Sequence, residues 1–166
     1  MNCRIGIRAP CARQASEGVY LVDTNVLSAG APTKARPAIE LVDWMDRNSA
    51  FLYISVITIA EVEDGIAKAR REGASSKARQ LDQWLDALLH LYTARILPLD
   101  VPVARQVGSL EDLARARGHA PGFADLAIAA TARCHDYTIL TRNLRHFRTL
   151  DVPAHDPFES LPVNGV

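Results

Sequence analysis

The chain has 166 residues, of which 48% are apolar, and its 19 Lys plus Arg balance 19 Asp plus Glu. That length and composition exclude a disordered chain and support one domain with a sizeable core. The zero net charge argues neither for nor against a nucleic-acid partner, so any attraction to phosphate must come from local clusters drawn from a cation set that is almost all arginine.

Residues 1–18 carry Arg4, Arg8 and Arg13 among small residues, with Glu17 as the sole acid. They lack the apolar core of a secretory signal. The expectation is a flexible N-terminal extension at 1–18, with Val19 as an alternative translation start that would make it a start-site artefact. The domain proper is expected at 19–166. No apolar run approaches the ~18 residues of a membrane span. Cys3, Cys11 and Cys134 form neither a zinc spacing nor a disulfide framework, which fits a reducing cytoplasm.

Val19, Tyr20, Leu21 and Val22 read as a short buried strand. It runs into Asp23-Thr24-Asn25, small, polar and rich in oxygen. In an open α/β sheet the carboxyl end of a central strand faces the ligand crevice. Asp23 equally fits the N-cap of a following helical turn. Pro37 is placed to open a helix running to about Asn48, and residues 51–54 read as a second buried strand. Residues 55–58 lead into a helix striped by Ile59, Val62, Ile66 and Ala69 that ends near Gly73. Ser75 or Ser76 starts another, with Leu81, Trp84, Leu85 and Leu88 on one face. A strand at 95–99 follows, then a helix capped by Asp100 and ending at Gly118. A helix at about 124–135, a strand at 138–140 and a last strand near Val152 complete the chain. The order β, α, β, α, α, β, α, α, β has crossovers long enough for parallel pairing. It argues an α/β protein with a parallel sheet covered by helices on both faces.

Three acids fall at element ends. Glu61 fits a capping box with Thr58, yet it lies beside the apolar stripe. Gly65, one turn on, removes a side chain that would crowd its carboxylate. Asp125 sits in the first turn of a helix that is apolar nearly all round and therefore buried; its carboxylate needs a cation, a hydrogen-bond network or a raised pKa. Thr141 and Asn143 follow the strand at 138–140 and suit either a site or a turn. Carboxylates converging on one crevice repel, and Mg²⁺, a hard cation that takes oxygen ligands and keeps several waters, is the usual solution. Such an ion can activate water against a phosphodiester. The five histidines show no metal-binding spacing and read as structural or surface groups. No GxSxG, phosphate-binding loop or GxGxxG occurs.

These motifs, Leu21-Val-Asp-Thr-Asn-Val-Leu-Ser28, Ile54-Ser-Val-Ile-Thr-Ile-Ala-Glu61 with Gly65, Ala124-Asp-Leu-Ala-Ile-Ala-Ala130 and Leu140-Thr-Arg-Asn143 with Phe147, occur in an order that resembles PIN domains. Within these they are similar to VapC-type toxins of bacterial toxin–antitoxin pairs and the related FitB proteins. The resemblance implies a three-layer α/β/α PIN-like fold and a toxin endoribonuclease dependent on Mg²⁺, with Mn²⁺ as a substitute. It implies that Asp23, Glu61 and Asp125 are the metal-binding acids, with Asp23 and Asp125 as the main ligands. Asn143 falls where many relatives carry a fourth acid, which puts a second metal position in doubt. Thr24 and Thr141 are expected to orient a ligand or water. Arg142, Arg145 and Arg148, just beyond the site, are the expected phosphate anchors, with Arg142 and Arg145 as the substrate-binding pair and Lys68, Arg70 and Arg71 further out. The resemblance also implies a homodimer in the cytoplasm and an inhibitory antitoxin. An alternative of another class is a FitB-like binding module that acts inside a DNA-bound complex with its antitoxin, with nuclease activity subordinate.

Overall fold

The computed structural model describes residues 18–36 and 38–162. Residues 1–17 of the expected extension at 1–18, and the helix-opening role of Pro37, lie outside the described residues. Five strands form one parallel sheet: β1 (Tyr20–Val22), β2 (Leu52–Ser55), β3 (Ile96–Leu97), β4 (Thr138–Leu140) and β5 (Ala154–His155), in the order β3-β2-β1-β4-β5. β1 is central, pairing Leu21 with Tyr53 on one side and with Ile139 on the other.

The helices are α1 (Thr24–Leu27), α2 (Ile39–Arg47), α3 (Val56–Arg71), α4 (Ser75–Leu91), α5 (Val101–Ala116), α6 (Phe123–His135) and α7 (Leu144–Arg148). Strand alternation sends Leu21 and Ile139 to one face, where they join Val107, Leu110, Ile128 and Phe147 in a core built with α5, α6 and α7. Val22, Ile54 and Leu140 face the other way, against Val26, Leu41 and Trp44 of α1 and α2. A satellite cluster of Val62, Ile66, Ala78 and Leu85 seals α3 against α4. The sheet with its two helical layers is the architecture expected from element order.

The differences from expectation are local. The second strand begins at Leu52, because Ser49–Phe51 closes a 3₁₀ turn. The third shrinks to Ile96–Leu97; Pro98 has no N–H to continue the ladder. The last strand lies at Ala154–His155, and Val152 is a core residue ahead of it. The Thr141–Asn143 turn leads into α7, a helix of five residues that the sequence does not announce. α3 is capped by Ser55, whose Oγ accepts from Ile57 N at 3.2 Å. Thr58 is therefore buried inside the helix, and the Thr58–Glu61 capping box does not form. Asp100 caps α5 as expected, accepting from Val103 N at 3.0 Å.

Candidate active site

Strand order reverses at β1: the chain moves outward through β2 and β3, then returns to place β4 on the other flank. A crevice opens at such a switch point, at the carboxyl ends of the two strands. Asp23 ends β1 and Thr141 ends β4, and Asp23 N–H donates to Leu140 O at 3.0 Å to hold the two ends together.

Asp23 is 5% exposed. Its Oδ1 accepts from Thr24 N at 2.7 Å, and its Oδ2 accepts from Asn25 Nδ2 and Thr141 Oγ1, both at 2.6 Å. The cap geometry and the site geometry are thus the same geometry: Asp23 caps α1 while its other oxygen faces the β4 end. Burial pushes the Asp23 carboxyl above the ordinary carboxylate range; the bonds from Thr141 and Thr24 pull it back, and the negative charges of Glu61 and Asp125 push it further up.

Thr141, wholly buried, is the hub beneath the carboxylate. Besides donating to Asp23, its Oγ1 accepts from Asn25 Nδ2 at 3.2 Å and from Asn143 N at 3.0 Å. Asn25 Oδ1 accepts from Arg142 N at 3.0 Å and so ties β1's end to the β4 turn. Glu61 projects from α3, exposed, and accepts a hydrogen bond from Thr24 Oγ1. The two threonines each bond a carboxylate of the site, Thr24 that of Glu61 and Thr141 that of Asp23. Gly65 does not keep the helix clear for Glu61, since a Cβ there would meet nothing within 4 Å.

Asp125 stands in the first turn of α6 with a side chain 25% exposed, and His146 of α7 lies on it, Nδ1 to Oδ2 2.9 Å. This histidine, half-buried, takes the structural of the two roles expected for it. The partner that a carboxylate on an apolar helix needs is supplied by α7, so the short helix that the sequence hides is what hides the pairing. Asn25 is the other site residue without an expected role; its place two residues after Asp23 was the available signal. Asn143 is exposed at the N-terminus of α7 and makes no side-chain capping bond.

Of the cations, Arg142 lays its guanidinium over the Phe158 ring, 4.6 Å from the centroid. Arg145 lines a cavity of about 350 Å³ with Asp125 and His146. Lys68 lines a separate groove with Thr24, Glu61 and Gly65. Arg70 pairs with Asp82 of α4 at 2.9 Å and is turned to a structural contact. Arg148 is exposed on α7, and Arg71 is exposed at the end of α3.

Among the described residues no three Asp, Glu, His or Cys side chains stand close enough to enclose a metal ion. The donors still suit Mg²⁺. They are hard oxygen groups, and the buried Asp23 feels the negative charge of both Glu61 and Asp125, an imbalance that a divalent cation relieves. An ion that keeps most of its water shell needs only one or two of these carboxylates directly. Among the described residues no helix is long and apolar enough to cross a membrane.

A family model described as the PIN domain matches residues 20–152. The chain is 36% identical over 144 residues to "Toxin FitB" of Neisseria gonorrhoeae, an alignment covering 84% of this chain and 99% of that one. It is 32% identical to "VapC ribonuclease Y4jK" of Sinorhizobium fredii, covering 85% and 99%. A crystal structure of FitAcB from Neisseria gonorrhoeae superposes with a TM-score of 0.73 at 35% identity, over 84% of this chain and 99% of that one.

Proposed function

The chain belongs to the PIN-domain family, and on that premise we propose that it is a VapC/FitB-type toxin, an endoribonuclease that hydrolyses RNA phosphodiester bonds with Mg²⁺. The observation that carries this reading is the buried Asp23 carboxylate at the switch point between β1 and β4, acted on electrostatically by Glu61 and Asp125. Those are the charges a cation-dependent phosphodiesterase brings together.

Asp23 and Asp125 are the groups that would hold the ion, with Glu61 and Asn143 at its margin. When bound, Mg²⁺ supplies activation of water and stabilisation of negative charge on the phosphate. The chain's own residues do the rest. Thr141 and Thr24 N–H fix the Asp23 carboxylate in one orientation. Thr24 holds Glu61 over the crevice, and His146 holds Asp125. Arg145 stands beside Asp125 to take a substrate phosphate. Arg142, exposed at the rim, adds positive charge. Asn143 carries no charge of its own, so the site has one formal negative charge fewer than a four-acid site and holds a single ion well.

The toxin role follows the named relatives: "Toxin FitB" and a VapC ribonuclease are each matched over nearly their full length. We place the protein in the cytoplasm as the toxin of a type II pair, a homodimer neutralised by a cognate antitoxin chain. A second reading has its own support, a structure of FitAB bound to a DNA fragment that superposes with a TM-score of 0.67 at 33% identity. On that reading the protein acts mainly as a module in a DNA-bound complex with its partner. Incubating the free chain with tRNA, rRNA and mRNA in Mg²⁺, Mn²⁺ or EDTA separates the two. Cleavage that needs the metal and is lost in Asp23→Ala and Asp125→Ala supports the nuclease. Full-strength cutting by either variant removes this site, and no cutting by the parent favours the binding module.

A further inference from the structure

We propose that the cavity beside Asp125 is a nucleotide subsite, in which one base of single-stranded RNA is held against His119 while Arg145 takes its phosphate. This rests on the ribonuclease reading above. The cavity measures about 350 Å³, and its walls come from the loop between α5 and α6 on one side and from α7 on the other. Pockets that bind small organic groups start at about 300 Å³. Asp125 lies in its lining, so an occupant is adjacent to the proposed reacting centre.

The cavity is built into the fold. Arg117 leaves the end of α5 and donates to Thr149 O at 2.8 Å and to the Asp151 carboxylate at 2.6 Å, bridging the loop to the end of α7. The Asp151 carboxyl is held below the ordinary carboxylate range by that guanidinium. Gly118 turns the chain at φ +75°, and His119 N–H donates back to Ala114 O at 2.9 Å. Both walls are therefore tied before any ligand arrives, which keeps the ordering cost of binding small.

The chemistry of the lining favours a nucleotide. Arg145 has no carboxylate partner among the described residues, and His119 makes no side-chain hydrogen bond among them. The Asp125 carboxylate is already engaged by His146. A basic side chain from a protein partner would face the Arg145 guanidinium and be repelled, whereas a phosphate is attracted. An imidazole face is a surface on which unstacked RNA bases lie, and an arginine fork matches phosphate oxygens.

The test uses the full chain without antitoxin, in a Glu61→Gln background that slows cutting, and single-stranded octaribonucleotides carrying 2-aminopurine at each position in turn. Stacking quenches that base. His119→Ala is expected to abolish the quench at one position and to weaken binding at least about five-fold, the lower bound for losing one base–aromatic stack. Arg145→Gln is expected to weaken binding and to lower the slope of log affinity against log salt by about 0.7, the value of one single-strand phosphate contact. Unchanged affinity and quench in both variants overturn the subsite while leaving the ribonuclease reading intact. A parent chain that binds no RNA overturns both. If His119→Ala weakens capture of a basic antitoxin peptide and leaves RNA binding unchanged, the cavity belongs to a protein partner and the inference fails.

Discussion

Thr141→Val isolates what the buried hydroxyl contributes to the site. Valine keeps the shape of threonine, but it removes a donor 2.6 Å from Asp23 Oδ2 and an acceptor for Asn25 Nδ2 and Asn143 N. Asn25 keeps its bond to Asp23 at 2.6 Å, and the exposed Asn143 N–H can turn to water. The loss that remains is one hydrogen bond to a buried carboxylate, about 1.5–3 kcal/mol. Taking about 2 kcal/mol, a domain of this size should melt about 4–8 °C lower. The effect should also depend on pH. Burial leaves Asp23 harder to ionise in the folded chain than in the unfolded one, so its ionisation withdraws stability as pH rises through its folded pKa. The Thr141 hydroxyl offsets part of that withdrawal. Without it the withdrawal is larger, so the gap between parent and variant opens with rising pH and narrows once Asp23 is protonated in both. Urea unfolding of the pair at neutral and acid pH measures the gap. We expect about 2 kcal/mol at neutral pH and less than about 1 kcal/mol, the worth of a neutral hydrogen bond, in acid. An equal gap at both ends would refute the role given to the Thr141–Asp23 bond.

Asn143→Asp restores a fourth negative charge and should tighten divalent-cation binding in calorimetry; unchanged or weaker affinity would place residue 143 outside the metal shell. His146→Ala frees the Asp125 carboxylate and should weaken that affinity by about ten-fold, the lower end of what losing such a supporting partner does, while His146→Asn, which keeps a donor near the position of Nδ1, should recover most of it. Asp100→Ala removes the α5 N-cap and should cost about 1 kcal/mol of stability with RNA cleavage unaffected, read by urea unfolding beside a nuclease assay.

The fold was legible because its signals are local. The continuous apolar, β-prone run at residues 19–22, the stripe of α3 and the apolar run of α6 each announce their element without reference to the rest. Asp23 and Asp125 stand out in the sequence because each sits where an element ends, whereas Glu61, expected at an element end too, lies in the second turn of α3 because that helix starts at Val56. What escaped depends on long-range pairing. No pattern in residues 144–148 announces a helix, since five residues hold less than two turns and Phe147 is buried by the tertiary core. The link from His146 to Asp125 spans 21 residues and exists only because that helix docks. The Thr58–Glu61 pattern misled for a related reason. The chain already has a better cap in Ser55, three residues earlier, at the carboxyl end of β2.

The central place of β1 has a temporal side. Asp23 leaves the ribosome 118 residues ahead of Thr141, the side chain that orients its carboxylate, and β1 must wait as long for β4. Nascent chains therefore carry their acids on an unfinished sheet for most of synthesis, and closing so long a loop is slow. A translating ribosome is itself made of RNA, and this connectivity delays the competent site until almost the whole chain has been made. A chain ending at Tyr137 should accordingly cut no RNA and be digested rapidly by protease; full activity in such a fragment would show that the site assembles without β4.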